Sequence, residues 1–514
     1  MSRTTFGFQF GEPERQPARA LPPDTPLRIL VAGDWSGRAS RGEHAPDTIA
    51  QRKLQAIDVD SFDDVLKSLA PTIHVGLAGD AGVSVTFESL DDFHPDRLFE
   101  RLELFAALRA SRRRLQNQAT FAAEAARIRP EAQPAASPPP SPAPTALSPA
   151  SDTGLLASIL DGSSTPAGVP DIRSVRVAGV DLGRLVDEVV APYVLPKADP
   201  RQGEFVAAVD AAAGDLLRRL LHAEPFQRLE AAWRQLWRIT RAVTGTGDVQ
   251  LHLLDVTRRE LAADLAAASP ASPDSGTKGL HRLVLDRHVR QLDGQPLGLV
   301  VVLEAFGTGE EDCNVLAALG GLAESAGAAL LADASPETIG QRDWTQSDPS
   351  DWQFTDPSAA SRWNSLRQQP QAMRVGLAAP RPLVRLPYGE RNAAENIAFE
   401  ELVPPRRHSD WLWGSAALGV AELIGLAFRR DGRAMRLGTV QDLDDLPAAI
   451  FEEDGEKQLL PGAEVFLTTT AGEALVDRGV IPLLSYQNRH AARVLRFTSL
   501  AAGSPRLVGP WSVV

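Results

Sequence analysis

Residues 222–238 read HAEPFQRLEAAWRQLWR and lie within a longer helical pattern over residues 206–241. Large apolar side chains recur there at i, i+3, i+7, i+10 and i+11, which is the spacing of one broad helix face. They are Phe226, Leu229, Trp233, Leu236 and Trp237. Tryptophans in such a pattern are typical of a packed core rather than of a cofactor site. The stretch therefore predicts a long amphipathic helix that is buried against another element.

The composition limits the class of protein. The chain has 514 residues, 43% of them hydrophobic, and is too long for one compact core, so we expect two to four domains. Its formal net charge of −13 disfavours nucleic-acid binding, because phosphate contacts need a basic surplus. One cysteine, Cys313, excludes an intramolecular disulfide and a cysteine-built zinc site. We find no signal-like segment and no apolar run of roughly 18 residues, so we expect a cytoplasmic protein without membrane insertion.

A segment rich in Pro, Ala and Ser divides the chain. In residues 131–150, EAQPAASPPPSPAPTALSPA, 16 of 20 residues are of these three types. Such a segment cannot bury apolar surface, and its prolines favour an extended backbone that reaches on the order of 60 Å. We therefore predict an arm and tether over residues 1–27, a first domain over 28–128, a linker with a short apolar segment over 129–170, and a larger region over 171–514.

Strand and helix patterns on both sides of the linker indicate an α+β fold. Residues 28–32, RILVA, read as a strand, and residues 298–306, GLVVVLEAF, form a near-continuous apolar run. Such a run is typical of a strand that is covered on both faces. Residues 48–57 have a polar helical pattern. We expect an α/β first module, joined by the Pro/Ala/Ser-rich linker to a larger module with a mixed sheet and helices outside.

The first residues form a pattern of their own. Phe6, Phe8 and Phe10 alternate with small or polar residues in Thr4–Phe10, as in a half-buried strand. Five prolines between residues 13 and 26 detach this segment from the first domain. An aromatic strand on such a tether either frays, as chain termini do, or packs on a distant part of its own chain or on another molecule's sheet edge.

Two motifs of the first domain resemble a known family. Residues 28–37 read RILVAGDWSG, a strand that ends in Gly33 and Asp34, and residues 89–98 read SLDDFHPDRL, with Phe93 and Pro95. The two motifs and their order are similar to the small sheath subunit of bacterial type VI secretion systems. That subunit has a strand ending in Gly-Asp-aromatic, and later a passage with Asp-Phe and Pro before a helix.

The larger region resembles the large sheath subunit of the same systems. The first part of the match is residues 222–238, with Phe226, Glu230 and Trp233, and the second is RWNSLRQQPQAMRVGLAAPRPLVRLPYG, residues 362–389. The residues that carry the second part are Trp363, Arg367, Pro380, Arg381, Arg385, Pro387 and Tyr388, followed by Trp413. The two resemblances together indicate a fusion of the small and large contractile sheath subunits in one polypeptide.

The resemblance implies a structural function without catalysis. Members of the family polymerise helically around an inner tube, contract to push that tube outward, act together with a baseplate and are disassembled by an AAA+ ATPase. Arms of neighbouring protomers thread into each other's sheets. The residues of this chain that fit such arms are Thr4, Phe6, Phe8 and Phe10 near the first residues, and Leu507, Val508, Trp511 and Val513 near the last.

The family also has an ATPase-recognition helix near the start of the large subunit. Here the one candidate is the apolar stretch GLLASILD over residues 154–161, which follows the linker. Its apolar residues are Leu155, Leu156, Ile159 and Leu160. The alternative is a short helix that packs locally and recruits no partner.

Three arginines of the large-subunit motif, Arg367, Arg381 and Arg385, lie among prolines and aromatic residues. In one interpretation they bind an anionic ligand or a carboxylate of a neighbouring protomer. In the other they are structural, with ion pairs to Glu400 and Glu401 and with stacking on the aromatic residues of the motif. We favour the structural interpretation.

The sequence predicts no catalytic, cofactor or metal site. The turn after Gly33 lacks the Lys-Ser/Thr pair and the glycine spacing of phosphate-binding loops. The closest histidine pair, His281 and His288, has no indicated third ligand. Two alternatives to a sheath protomer stay open: a baseplate or adaptor protein with a sheath-derived fold, and an α/β enzyme with an unrecognised site.

Overall fold

The computed structural model describes residues 25–78, 81–128, 202–266, 279–289, 296–344, 348–390, 392–447, 450–453, 456–460, 462–487 and 489–511. The predicted aromatic arm and the predicted linker with its apolar segment lie outside these ranges. Residues 25–128 are called the N-half below, and residues 202–511 the C-half. None of the helices in the described ranges combines the length and the apolarity that crossing a bilayer requires.

Nine strands from both halves form one mixed sheet. The strands of the N-half are β1 Leu27–Gly33, β2 Gln55–Ile57, β3 Thr72–Ala78 and β4 Ala81–Thr86. Those of the C-half are β5 Val249–Asp255, β6 Leu299–Phe306, β7 Ala329–Ala334, β8 Val375–Ala379, β9 Asp442–Leu443, β10 Ile450–Glu453, β11 Glu456–Leu459, β12 Val480–Ser485 and β13 Ala492–Val494. The sheet has the order β2-β5-β1-β6-β7-β8-β12-β13-β9, and β3–β4 and β10–β11 are separate two-stranded sheets.

The N-half supplies a central strand to the sheet of the C-half. Strand β1 lies between β5 and β6 and is parallel to both. Its register with β5 runs from Leu27 opposite Val249 to Gly33 opposite Asp255, and residues 29–32 pair with β6. The predicted α+β fold with a mixed sheet is confirmed. The finding beyond the prediction is that the two halves share this sheet.

Helices cover both faces of the sheet. Those of the N-half are α1 Phe62–Leu69, α2 Pro95–Arg101, α3 Ala106–Gln116 and α4 Gln118–Ile128. Those of the C-half are α5 Gln202–Leu221, α6 Glu224–Val243, α7 Arg258–Ala266, α8 Glu310–Ala326, α9 Pro357–Arg367, α10 Ala416–Asp431 and α11 Thr469–Asp477, with a short helix Gly279–His281 that continues as a π-helix over Arg282–Val289. Short 3₁₀ turns occupy Arg38–Arg41, Pro46–Gln51, Leu90–Phe93, Glu103–Phe105, Pro336–Ile339, Pro349–Asp351, Pro370–Arg374, His408–Asp410 and Gly432–Ala434.

Strand β1 contributes to two hydrophobic cores. Ile29 and Val31 pack into the core that contains α5, α6 and α10. Leu30 and Ala32 pack into the core that contains α7, α8 and α11. Because successive side chains of a strand point to opposite faces, a strand covered on both sides needs apolar residues throughout. Strand β6 divides its valines and leucines between the two cores in the same way, as its apolar run predicts.

The predicted helical region over residues 206–241 forms two helices, α5 and α6, which are separated at residues 222 and 223. The amphipathic face lies on α6. Pro225 lies in its first turn, where the missing N–H costs no helical hydrogen bond. Phe226, Trp233 and Leu236 are fully buried, and Trp237 lies partly buried at the margin of the same core. The apolar face of α6 therefore packs on the sheet and on the N-half.

One predicted element was wrong. Residues 48–57 do not form the predicted helix. Their first four residues belong to the 3₁₀ turn Pro46–Gln51, and their last three are strand β2, Gln55–Ile57. Strand β2 pairs antiparallel with β5, with Ile57 opposite Leu251. Pairing with a strand of the other half overrides the local helical pattern.

Candidate functional site at the junction of the two halves

Aromatic side chains join the N-half to helix α6. Trp35 and Trp233 lie edge to face with ring centroids 5.3 Å apart, and the ring of Phe62 lies 5.7 Å from that of Trp233. The indole N–H of Trp233 donates to the backbone oxygen of Trp35 at 3.1 Å. All three side chains are buried. Edge-to-face packing of aromatic rings adds roughly 0.5–1.5 kcal/mol per pair to the gain from burial.

A second aromatic group lies nearer the start of α6. Phe87 and Phe93 stack with centroids 4.1 Å apart, and both meet Phe226 edge to face at 5.7 Å. Phe93 and Phe226 are residues of the small-subunit and large-subunit motifs, respectively. The structure therefore places these two family-motif residues in contact within the shared core.

Arginines of the N-half pair with acidic residues of the C-half. The Glu260 cluster consists of Arg38, Arg52, Asp255 and Glu260. Arg38 binds Glu260 at 3.0 Å and Asp255 at 3.1 Å, and Arg52 binds Glu260 at 2.7 Å. Burial by itself would raise the pKa of the Glu260 carboxyl. Hydrogen bonds from Arg52 and from the backbone N–H groups of Thr257 and Ala45 outweigh burial and lower the pKa to about 2. Glu260 is therefore ionised throughout the physiological pH range.

The Gly33–Asp34 motif forms the turn that positions Arg38. The Asp34 carboxylate accepts hydrogen bonds from the backbone N–H groups of Arg38 and Ala39, at 2.8 and 2.9 Å. Gly37 has a φ of 73°, and a Cβ there would lie 2.5 Å from the backbone oxygen of Thr72. The turn thus uses its glycine for backbone geometry, and its acidic side chain binds the turn's own backbone.

Arg385 makes one of the two predicted ion pairs and one of the predicted aromatic contacts. Its guanidinium binds Glu401 at 2.7 Å and Glu230, a residue of the α6 motif, also at 2.7 Å. It stacks on Tyr388 at 4.2 Å. Burial favours the neutral form of Arg385, but the two carboxylates outweigh burial and raise its pKa well above the usual value. The second predicted partner, Glu400, accepts instead from the N–H of Glu390.

The other two arginines have partners other than the predicted carboxylates. Arg381 binds Glu464, with Nε 3.0 Å from a carboxylate oxygen. Arg367 donates to the backbone oxygens of Leu500 and Asp477, at 2.9 and 2.8 Å. The predicted pairing of these two arginines with Glu400 or Glu401 was therefore wrong. The contacts that do form lie within the chain and connect α9 and β8 to the later part of the C-half.

The remaining motif residues shape the chain locally or contact nearby segments. Pro95 begins α2, and the next carboxylate, Asp96, accepts the N–H groups of Glu395 and Asn396 in the C-half, at 2.8 and 2.9 Å. Pro380 follows a cis peptide bond. Trp363 is buried, and Pro387 lies between Arg385 and Tyr388 in the sequence. The indole N–H of Trp413 donates to the backbone oxygen of His408.

The described part of the predicted C-terminal arm packs on its own chain. Leu507 and Trp511 are buried, and the N–H groups of Leu507 and Val508 donate to the backbone oxygens of Phe497 and Met373. Val513 lies outside the described residues, as do the predicted N-terminal arm, Thr4–Phe10, and the predicted ATPase-recognition segment, Leu155–Leu160. Exchange of these arms between protomers stays a prediction.

The geometry of the junction fits a structural role. The charged side chains of the Glu260 cluster pair within that cluster, and Arg385 pairs with Glu230 and Glu401. Among the described residues, no group of three or more His, Cys, Asp or Glu side chains is arranged to hold a metal ion. The fold and the junction define a class of protein in which two halves are interlocked around one shared sheet.

Comparisons with known proteins identify that class. The family described as "EvpB/VC_A0108, tail sheath N-terminal domain" matches residues 203–501, more than half of the chain, so the chain belongs to this sheath family. The family "Type VI secretion system, VipA, VC_A0107 or Hcp2" matches residues 21–135. The chain is thus a fusion of a small-subunit part and a large-subunit part, as the sequence motifs predict.

Two curated relatives from Pseudomonas aeruginosa agree with this division. The chain is 27% identical to the type VI secretion system sheath protein TssC1 over 304 residues, which cover 58% of this chain and 60% of the relative. It is 30% identical to the sheath protein TssB1 over 102 residues, which cover 19% of this chain and 58% of the relative. Each match thus spans about three-fifths of the relative's length.

Proposed function

We propose that this chain is the structural protomer of a contractile type VI secretion sheath. It polymerises helically around an inner tube and contracts to propel that tube, without catalysing a reaction. One observation carries the proposal: strand β1 of the small-subunit part lies between β5 and β6 of the large-subunit part. A sheath needs a rigid repeating unit, and a shared sheet makes the two parts one unit in a fixed ratio.

The junction supports this rigid unit. A sheath that changes its packing during contraction moves protomers relative to each other, so the contacts inside each protomer have to withstand that change. The buried aromatic contacts and the Glu260 cluster are suited to this, because breaking a buried ion pair leaves an uncompensated charge and costs roughly 3–5 kcal/mol. The deformable contacts then lie between protomers.

The proposal assigns the remaining segments to assembly. Residues 1–27 form an arm and tether, residues 28–128 and 171–514 are the two subunit-like parts, and residues 129–170 connect them. The arms bridge neighbouring protomers in a heterologous contact that does not close into a ring. The partners are other copies of this chain, the inner tube protein, the baseplate and, through residues 155–160, an AAA+ disassembly ATPase.

Electron microscopy of the purified full chain tests the proposal. With the tube protein present, negative staining should show long helical polymers, and deletion of residues 1–11 should abolish them while leaving a folded monomer. A defined small oligomer in place of a filament would favour the baseplate or adaptor alternative. A chain that stays monomeric at high concentration with the tube protein present would contradict the proposal.

A further inference from the structure

A cavity of about 180 Å³ lies beside β9, the last strand of the shared sheet. Its apolar lining includes leucines of three segments, and α6 adds two arginines. These lining residues are Leu383, Leu418, Leu443 and Leu446, with Arg234 and Arg238. Small-molecule sites usually measure roughly 300–1,000 Å³. The cavity is therefore sized for a protein side chain rather than for a substrate.

The lining selects an aromatic side chain. The guanidinium of Arg238 donates to both carboxylate oxygens of Glu422, at 2.9 and 3.0 Å, and to the backbone oxygen of Asp445 at 3.1 Å. These bonds use the N–H groups in the plane of the guanidinium, which leaves its flat face for contact with a ring. Leucines beside a planar cation therefore favour Phe, Tyr or Trp over an aliphatic or acidic residue.

The chain has such side chains within reach of the cavity. Thr25, where the described N-half begins, is bound through its backbone oxygen by Arg433, at 3.3 Å. Arg433 follows the end of α10, and Leu418 near the start of that helix lines the cavity, so the two points are about 20 Å apart along the helix. Residues 11–24 span up to about 46 Å when extended. The aromatic segment Thr4–Phe10 can therefore reach the cavity of its own chain.

We propose that, in the free chain, the cavity holds a phenylalanine side chain of Thr4–Phe10 from the same molecule. A short tether gives this segment a high effective concentration at the cavity, which no separate molecule matches in dilute solution. Docking also removes one phenylalanine of this segment from water. The proposal concerns the free chain and does not depend on whether the chain polymerises.

Photo-crosslinking of the full chain tests the docking. Phe8 is replaced by p-benzoylphenylalanine, chains with ¹⁴N and ¹⁵N are mixed, and crosslinked peptides are mapped by mass spectrometry. We expect crosslinks within one chain to residues 418–422 or 443–447. Crosslinks between chains would show that a second copy fills the cavity. Crosslinks elsewhere, or none, would also overturn the proposal.

Two tryptophan variants provide the matched comparison. Val384 is half-buried and lines the cavity, so Val384→Trp fills it. The crosslink yield should fall about tenfold or more, because the phenylalanine loses its burial. Val403, 43% exposed, is not among the residues that line the cavity, and Val403→Trp should leave the yield unchanged. Equal yields in the two variants would contradict the proposal.

A second measurement does not depend on how well a cavity variant folds. Amide hydrogen exchange is compared between the full chain and a chain that lacks residues 1–11, both as free monomers. Exchange over residues 441–447 should be several-fold faster in the truncated chain, because the side chain that packs on Leu443 and Leu446 is then missing. Identical exchange in the two chains would overturn the docking without bearing on polymer formation.

Discussion

Replacing Glu260 by Gln should weaken the junction between the two halves. Gln keeps the shape of the side chain and removes its charge, so Arg38 and Arg52 lose their shared buried partner. Asp255 still pairs with Arg38, but Arg52 keeps no carboxylate among its described contacts. The variant therefore tests whether charge pairing across the junction stabilises the fold.

The magnitude follows from the pKa of Glu260. Its pKa falls from 4.5 to about 2 in the folded chain. At 1.36 kcal/mol per pH unit this difference corresponds to roughly 3 kcal/mol. The Glu260 side chain is fully buried, with 0% exposure, so solvent screens it little. The expected loss lies at the lower end of the roughly 3–5 kcal/mol measured when one partner of a buried pair is removed.

Urea denaturation followed by tryptophan fluorescence measures this loss at pH 7. The folded pKa lies below the unfolded one, so the contribution of Glu260 is complete above about pH 4.5 and is lost as the pH falls toward 2. The difference between wild type and Glu260→Gln should shrink over the same pH range. The control is Glu43→Gln, because Glu43 pairs with Arg41 at the surface and should change stability by less than about 0.5 kcal/mol. A loss no larger than that of the control would show that the buried charges do not stabilise the junction.

Three further predictions concern other parts of the chain. A protease site placed in residues 131–150 should allow the chain to be cut there. Both halves should still elute together in gel filtration, because β1 of the N-half pairs with β5 and β6 of the C-half. Separate elution of the halves would contradict the shared sheet. Asp333 is buried, and burial raises its pKa to about 7. The wild-type melting temperature should therefore rise as the pH falls from 8 to 5, whereas Asp333→Asn should lose this slope. Gly37→Ala should destabilise the fold more than Gly42→Ala, by about 1 kcal/mol or more in thermal unfolding. Both glycines have a positive φ, but only at Gly37 would the added Cβ lie against Thr72. Equal losses of stability would show that backbone strain alone matters.

Local sequence patterns predicted the elements whose own apolar side chains face the core. The spacing of Phe226, Trp233 and Leu236 predicted α6, because a buried helix face leaves a period of 3.6 residues in the sequence. The apolar run over residues 298–306 predicted a strand covered on both faces. Arg385 and Glu401 could be paired from the sequence, since they lie close together along the chain.

Contacts between distant segments left no such pattern. Nothing near residues 28–32 indicates that β5 and β6, more than 200 residues later, are their neighbours. Strand β2 was mistaken for part of a helix, because three residues give too short a pattern to recognise. Glu230 and Glu464, the partners of Arg385 and Arg381, lie 155 and 83 residues away. When tertiary packing determines which carboxylate pairs with an arginine, a single sequence contains no pattern that identifies that carboxylate.

The position of β1 has a consequence for synthesis of the chain on the ribosome. β1 is complete about 220 residues before β5 has been made, and at translation rates of 5–20 residues per second this delay is roughly 10–40 s. During that time β1 is an apolar strand with two unpaired edges, and such edges can pair with other chains and cause aggregation. We expect nascent chains of this protein to depend on chaperones until β5 and β6 emerge, and chains truncated before residue 249 to be insoluble.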